Sequence, residues 1–293
     1  MSLPIKVTRN LRIIALPLTR ATRTHGALTY YQFVTPVPAG EANKSPGLIK
    51  WASNKAVGVW AGFGKAPEGN WKLKVFRYGE RLIDKIDFEE LALKSLDVSL
   101  APKLSKFGNS EVQLEKDRPN IPLYYPQASP SPLSHLQSLV EKRAPTHRKG
   151  FLTWMLLAPV TAPVALIPVI PNLPFFYCVW RSWSHYRAYK ASEYLQSLIE
   201  EGVISPEPNP ELESIYASHQ PLRDADSDAS STPDQVAPQH RDAPTQSNTA
   251  SEGLLLTREA IPSVLQLFDL PPTSAADIYR AMEQAKVRLG RGT

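Results

Sequence analysis

The sequence predicts a mainly α-helical protein with a small N-terminal β element, attached to a membrane through a proline-kinked apolar segment. Two stretches near the N-terminus are rich in β-branched and aromatic residues. Most later segments carry apolar residues at three- and four-residue spacing, which is typical of helices. Residues 150–180 contain no charged side chain, and a spanning helix needs about 20 apolar residues.

Composition and pattern divide the chain into five regions. They are an N-terminal β element and loop (1–46), a helical soluble region (47–149), a membrane segment with the helix that follows it (150–204), a disordered acidic linker (205–253) and C-terminal helices (254–293).

The N-terminal region combines the predicted strands with an unusual charge pattern. Residues 11–18 and 27–35 predict a two-stranded unit. The first forty residues contain Lys and Arg but no Asp or Glu, a composition that permits mitochondrial import. The same composition fits a basic folded N-terminus with no import role, so both interpretations stay open.

Local signals predict three helices in the second region. Apolar spacing predicts helices over residues 47–63 and from Trp71 onward, and residues 87–90 have the spacing of a capping box that opens a third helix through Leu96. The acidic residues at this point are interpreted as helix-cap and surface carboxylates rather than a catalytic pair. These are Asp84, Asp87, Glu89 and Glu90.

The remaining soluble segments alternate between irregular and helical patterns. Prolines make residues 102–132 irregular, and a short helix follows over 133–143. Residues 205–253 hold nine acidic side chains against two arginines and few bulky apolar residues, which predicts disorder. Two further helices are predicted, one with Pro262 in an early turn and one opening at Ser274.

The apolar segment carries five prolines, so a straight helix is not expected. One alternative is a single bent span; the other is a short helical hairpin that turns at residues 168–171. Each leg of about 15 residues would reach roughly 22 Å, short of the ~30 Å hydrocarbon layer. A proline-rich buried core segment without membrane contact is a third possibility.

Both flanks of the apolar segment are basic, which favours both ends on the same side of a membrane. We therefore expect contacts with anionic lipid from the flanking cations. These are Lys142, Arg143, Arg148, Lys149, Arg187 and Lys190.

No enzyme, cofactor or metal motif occurs in the sequence. The histidines are scattered, and none is paired at metal-ligand spacing. His185 lies between Arg181 and Arg187, where an interfacial histidine in an aromatic belt is expected and a proton-handling histidine is the alternative. The chain carries a net charge of +5 without a nucleic-acid motif, so no nucleic-acid partner is expected. Cys178 is the only cysteine, which excludes an intramolecular disulfide.

One string, which begins inside the apolar run and continues past its end, resembles a known family. Residues 171–177 (PNLPFFY) and 180–185 (WRSWSH) resemble the mitochondrial potassium–proton exchange-related family of inner-membrane proteins. Weaker similarities lie at residues 71–90, at 12–17 and in the final helix. The candidate motif positions are Pro171, Asn172, Pro174, Tyr177, Trp180, Arg181, Trp183, Ser184 and His185.

The resemblance implies residence in the mitochondrial inner membrane and a part in potassium–proton exchange. One bent span or short hairpin cannot build alternating access, and residues 150–180 hold no carboxylate for a cation. The sequence therefore predicts a non-enzymatic accessory or regulatory component, with membrane lipid and a membrane protein or a second copy as partners. The alternatives are a scaffold or assembly factor for other complexes and an ion-conducting subunit of an oligomer.

Overall fold

The computed structural model describes residues 11–20, 26–35, 48–102, 120–163, 173–219 and 254–290. The strands are β1 (Arg12–Pro17), β2 (Thr29–Val34), β3 (Ile121–Pro126) and β4 (Ile204–Asn209). The helices are α1 (Leu48–Gly64), α2 (Trp71–Asp84), α3 (Phe88–Ser95), α4 (Leu133–Thr161), α5 (Leu173–Glu200), α6 (Pro210–His219), α7 (Ile261–Phe268) and α8 (Thr273–Gly290).

The strands form one four-stranded sheet in the order β2-β1-β3-β4. The antiparallel pair β1–β2 confirms the predicted two-stranded unit, whereas the parallel pairs β1–β3 and β3–β4 were not predicted. The prediction of irregular structure at residues 121–126 and of disorder at 205–219 was wrong. Prolines suggested irregular structure at 121–126, and a composition rich in Pro, Ser, Asp and Gln suggested disorder at 205–219. Strand β4 is an edge strand, and both prolines of interior β3 lie outside the two residues that pair with β1.

Helices cover both faces of the sheet. Tyr124 of β3 packs against Phe268 of α7, with ring centroids 5.7 Å apart, which places α7 on one face. On the opposite face, the hydroxyl of Tyr31 in β2 bonds His135 of α4 at 2.8 Å. Leu93 of α3 lines a small gap together with Tyr31 on that second face. All of these elements contribute to one hydrophobic core.

Helices α1 and α2 form a separate aromatic contact and confirm two predicted helices. The rings of Trp60 and Phe76 lie 5.3 Å apart. Gly79 permits this approach, because a Cβ there would lie 2.3 Å from Cη2 of Trp60. Asn70 caps α2 by accepting a hydrogen bond from the backbone N–H of Lys72 at 3.0 Å.

Helices α4 and α5 pack side by side in antiparallel orientation. Phe151 contacts Tyr186, and further along Trp154 contacts Tyr177, with ring centroids 5.4 Å apart in each pair. The predicted helix over 133–143 therefore continues to Thr161, through Pro145 and Pro159. This packing agrees with a helical hairpin rather than one bent span.

Two of the five prolines of the apolar run lie outside the described residues, and the others are accommodated near helix ends. Pro174 is the second residue of α5, where a missing N–H removes no helical hydrogen bond. Pro159 lies in the last turn of α4.

No helix among the described residues is long and apolar enough to cross a membrane.

Candidate functional site

A polar cluster is buried where α3 meets the α4–α5 hairpin. Glu90 is 4% exposed, His147 2%, Ser184 2% and His185 8%, while the side chain of Arg181 is 16% exposed. Buried charged side chains are costly unless they are paired, so this arrangement requires specific contacts. We call these five residues the buried cluster.

Local helix geometry brings the five side chains together. Asp87 caps α3 by accepting from the N–H of Glu89, which places Glu90 in the first turn of that helix. On α5, Arg181, Ser184 and His185 are three and four residues apart and therefore share a face. His147 comes from the facing helix α4.

The carboxylate of Glu90 is fully engaged by α5. Both terminal guanidinium nitrogens of Arg181 donate to it, Nη2 to Oε2 at 2.9 Å and Nη1 to Oε1. The hydroxyl of Ser184 donates to Oε1 at 3.1 Å. Burial alone would raise the pKa of Glu90, but the hydrogen bond and the charge of Arg181 outweigh it and lower the pKa. Glu90 is therefore a buried carboxylate in its ionised form.

Beside this ion pair, two imidazoles face each other. The Nδ1 atoms of His147 and His185 lie 3.1 Å apart, so one must donate a proton and the other accept it. Burial lowers the pKa of His147 to about 4, and burial followed by the charge of Arg181 lowers the pKa of His185. Both rings are therefore neutral at neutral pH. Nε2 of His147 is buried and has no hydrogen-bond partner among the described residues.

Gly150 makes room for the ring of His185. A Cβ at position 150 would lie 2.9 Å from three ring atoms, closer than real Cβ contacts. The ring thus packs directly against the backbone of α4.

Replacing Gly150 with alanine is expected to lower the free energy of unfolding by about 1–2 kcal/mol. Overpacking a well-filled site costs about 1–3 kcal/mol, and the better helix propensity of alanine returns up to about 1 kcal/mol. Gly58→Ala in α1 is the matched control, because nothing lies within 4 Å of its Cβ position. Urea unfolding of both variants checks the prediction. A stability gain in both would contradict the described contact.

A second ionic group lies at the N-terminus of α3. Nη2 of Arg143 donates to Asp87 at 2.6 Å and its Nε donates to Glu89 at 2.6 Å. Arg288 of α8 also reaches Asp87, at 2.9 Å. Arg143 was predicted to contact lipid, but its guanidinium is held by these two carboxylates. The group joins α3 to α4 and α8.

The structure corrects the interpretation of two predicted residues. Glu90 was taken as a helix-cap or surface carboxylate, yet it is buried and bonded to Arg181. His185 was expected at a membrane interface, yet it is buried against His147. Of the motif residues, Arg181, Ser184 and His185 therefore belong to the buried cluster.

Other motif residues lie along the apolar part of the hairpin. The ring of Trp180 lies 5.7 Å from Nζ of Lys94, and the ring of Tyr177 lies 5.8 Å from that of Trp180. Trp183 is 48% exposed, and Pro174 is also exposed. Pro171 and Asn172 lie outside the described residues.

Beyond the buried cluster, the hairpin presents an apolar surface that we call the tip. The tip covers residues 151–163 and 173–183, none of which is charged except Arg181 at its base. It holds nine of the fifteen exposed large apolar side chains found among the described residues. They are Leu152, Met155, Leu156, Leu157, Val160, Leu173, Phe176, Val179 and Trp183. Exposed apolar surface concentrated in this way marks an interaction site.

Cations surround the base of the tip. Lys142, Arg148 and Lys149 on α4 are exposed. On α5, Arg187 is half-buried, and Lys190 is exposed but pairs with Glu193 at 2.8 Å. Among the described residues, the other four predicted lipid-contact cations form no salt bridge like those that hold Arg143 and Lys190.

Comparisons with known proteins support the resemblance in the sequence. An uncharacterized protein of Saccharomyces cerevisiae, YDL183C, is 27% identical over 168 residues, covering 52% of each chain. An uncharacterized protein of Schizosaccharomyces pombe, C23H3.12c, is 25% identical over 182 residues, which is 62% of this chain and 72% of the relative. The chain thus spans about half the length of the first of these relatives. No solved structure matches the chain significantly.

A family model described as mitochondrial K⁺–H⁺ exchange-related matches residues 12–199. The match runs from β1 to the end of α5 and includes every residue of the buried cluster and of the tip. Because it covers well over half of the sequence, the chain belongs to the mitochondrial K⁺–H⁺ exchange-related family and is a mitochondrial protein.

Proposed function

We propose that this chain is an accessory or regulatory component of potassium–proton exchange at the mitochondrial inner membrane, where the tip docks into the lipid. Membership of the family supports the link to exchange. The single observation that carries the docking is the concentration of exposed apolar side chains on the tip, with cations at its base. Apolar surface next to Lys and Arg is the combination that binds an anionic membrane surface.

The dimensions of the tip favour insertion into one leaflet. From Phe151 to Thr161, α4 extends by roughly 16 Å at 1.5 Å per residue, against about 30 Å for the hydrocarbon layer. The antiparallel legs keep both cationic flanks on the same side of the membrane. Lys149 and Arg148 would then lie at the level of the phosphate groups.

The same features support an accessory role rather than transport by this chain alone. Secondary transporters bind ions near the bilayer midplane between bundles of several helices. Residues 150–180 contain no side chain that titrates as a carboxylate, ammonium or imidazole. Glu90, the carboxylate that meets the base of the tip, is paired there with Arg181. The chain would therefore act on a membrane-protein partner or assemble with further copies.

Introducing acids at the tip is expected to abolish binding to lipid vesicles. Leu156, Val160 and Phe176 are 74%, 71% and 62% exposed, so aspartate at these positions removes no core contact. Each large apolar side chain transferred into lipid contributes about 1.5–3 kcal/mol, so the triple Asp variant should lose more than about 100-fold in affinity. Flotation with vesicles of neutral and anionic phospholipid measures this.

Val287→Asp is the matched control, since Val287 is 50% exposed but lies on α8, away from the tip. It should bind vesicles like the unaltered chain. Equal binding by the triple variant would show that the tip does not dock into lipid, and the membrane part of the proposal would fail.

The role in exchange is tested in inner-membrane vesicles from cells that lack the chain. We expect potassium-dependent proton flux to fall, to return when the chain is restored and not to return with the triple Asp variant. The purified chain in liposomes should give no flux. Flux from the purified chain would identify an ion-conducting oligomer instead. Normal flux in the deficient membranes, with reduced amounts of other complexes, would identify a scaffold or assembly factor.

A further inference from the structure

We propose that Glu90, His147 and His185 bind one divalent transition-metal ion of the zinc class at the base of the hairpin. One ligand atom from each residue lies within 4.8 Å of the others, and all three residues are buried. Each side chain comes from a different helix, α3, α4 and α5 respectively. Nothing in the family description assigns such a site, and the sequence itself predicted none.

The spacing of the imidazoles fits metal ligation. Zinc binds imidazole nitrogen at about 2.0–2.1 Å in tetrahedral geometry, so two such nitrogens lie about 3.3 Å apart. The Nδ1 atoms of His147 and His185 are 3.1 Å apart and face each other. The ligand atoms lie within 4.8 Å of one another, so the carboxylate of Glu90 would need to approach by at most about 1.5 Å to complete the set.

The protonation state of the rings also suits a metal. Ligating imidazoles must be neutral, and burial keeps both histidines neutral at neutral pH. Ligation through both Nδ1 atoms places the proton of each ring on Nε2, so the metal would replace the hydrogen bond between the two Nδ1 atoms. Two imidazoles and one carboxylate are the donors of known zinc sites.

The charges around the cluster determine which cation fits. Arg181 donates twice to Glu90, and Ser184 donates once. Burial lowers the pKa of Lys94, and the negative charge of nearby Glu90 partly opposes that shift. The site therefore has little net negative charge to attract a hard cation. Imidazole donors favour zinc, copper or nickel over potassium or magnesium. Arg181 and Ser184 would serve as the outer hydrogen-bond partners that orient the carboxylate.

A metal here would join three helices. Any ligand that binds the folded chain alone raises its stability in proportion to the logarithm of ligand concentration. We therefore expect Zn²⁺ to raise the Tm of the full chain, whereas K⁺ and Mg²⁺ at the same concentration should leave it unchanged.

The experiment titrates Zn²⁺ into the full chain after treatment with a chelator, with a coloured zinc indicator as competitor. The expected result is one Zn²⁺ per chain. His147→Ala, His185→Ala and Glu90→Gln should each weaken binding, the histidine variants by at least about 100-fold. Circular dichroism checks that each variant remains folded.

Two matched variants should keep full binding. His135→Ala alters a histidine of α4 that bonds Tyr31 instead. Cys178→Ser removes a thiol two helical turns from His185 on the same face of α5, roughly 10 Å away.

The proposal fails if the unaltered chain binds no Zn²⁺ more tightly than the indicator, a result that does not depend on any variant folding. It also fails if the three cluster variants bind like the unaltered chain, because the metal would then occupy surface histidines.

Discussion

Replacing Arg181 with methionine is expected to lower the free energy of unfolding by about 3–5 kcal/mol, because it leaves the carboxylate of Glu90 buried and uncompensated. Glu90 is 4% exposed, and among the described residues it has one hydrogen-bond donor besides Arg181, the hydroxyl of Ser184. Methionine is similar in length to arginine, so the loss reports the charge rather than a cavity.

A double-mutant cycle separates this effect from lost packing. Glu90→Gln removes the charge but keeps a group that bonds Ser184, so Arg181→Met combined with Glu90→Gln should be more stable than Arg181→Met alone. The cycle is measured by urea unfolding in the presence of a chelator, which removes any contribution from bound metal.

An exposed ion pair provides the control for the cycle. Arg258 and Glu283 are paired at 2.5 Å, with side chains 64% and 52% exposed. Arg258→Met should cost less than about 1 kcal/mol, because water screens such pairs. Equal losses from Arg181→Met and Arg258→Met would show that the buried cluster is not held as described.

The buried cluster matters for the proposed docking because it fixes the hairpin to the rest of the chain. Glu90 belongs to α3, which contacts the sheet, whereas Arg181 lies where the tip begins on α5. Their ion pair therefore sets the position of the tip relative to the sheet. If a partner protein binds the sheet and the helices packed on it, weakening the Glu90–Arg181 ion pair should impair exchange even where the tip still binds lipid.

Local signals in the sequence were sufficient to predict most of the helices and one strand pair. Apolar spacing predicted α1 and α2, the capping residue Asp87 predicted the start of α3, and Ser274 lies one residue inside α8. Apolar spacing and capping residues are local features, so the sequence alone reveals them even where distant contacts hold the helix in place.

Elements that depend on distant partners were missed. Strand β4 contains Pro206 and Pro208 and is ordered because β3, about eighty residues earlier, pairs with it in parallel. The composition of residues 205–219 resembles a disordered segment, but Leu212 and Tyr216 of α6 are buried in the core. Side-chain burial by distant elements outweighed local composition here.

Only the part of the buried cluster that lies on α5 could have been predicted from the sequence. The spacing of Arg181, Ser184 and His185 places three polar side chains on one face of a helix, a signal that could have indicated a buried polar site. Nothing local links them to His147 or Glu90, which are 38 and 94 residues from His185 and Ser184 respectively. The antiparallel packing of α4 against α5 brings the histidines together, and the docking of α3 brings the carboxylate.

A chain that ends at residue 253 is expected to lose cooperative folding, the largest effect predicted for this protein. The family match ends at residue 199, yet α7 packs on one face of the sheet and α8 packs against α7 and α3. Their fully buried apolar side chains include Ile261, Val264, Phe268, Ile278, Ala281 and Ala285. Each of the four large ones contributes about 1.5–3 kcal/mol on burial, so together they contribute about 6–12 kcal/mol, comparable to a typical total stability of 5–15 kcal/mol.

Polar contacts also require the C-terminal helices. Arg12 of β1 is 4% exposed and donates to the backbone carbonyl of Phe268 at 3.4 Å. Gln284 of α8 accepts from the N–H of Phe88 at 2.9 Å and donates to the carbonyl of Ile86 at 2.7 Å. Truncation would leave a buried guanidinium and the start of α3 without these partners, which adds to the apolar loss.

Cleavage of the full chain distinguishes the loss of the contacts made by α7 and α8 from a nonspecific effect of shortening the chain. With a protease site inserted within residues 220–253, we expect the two pieces to remain associated after cleavage and to unfold together in urea, because the contacts of α7 and α8 persist without the connection. The piece 1–253 produced alone should lack this transition, and adding the piece 254–293 should restore it.

Phe268→Ala, expected to cost about 3–5 kcal/mol, should weaken the association, whereas Gln266→Ala, at an exposed position of the same helix, should not. If 1–253 alone unfolded as cooperatively as the whole chain, the C-terminal helices would be a separate appendage, and the region matched by the family would be the complete folding unit.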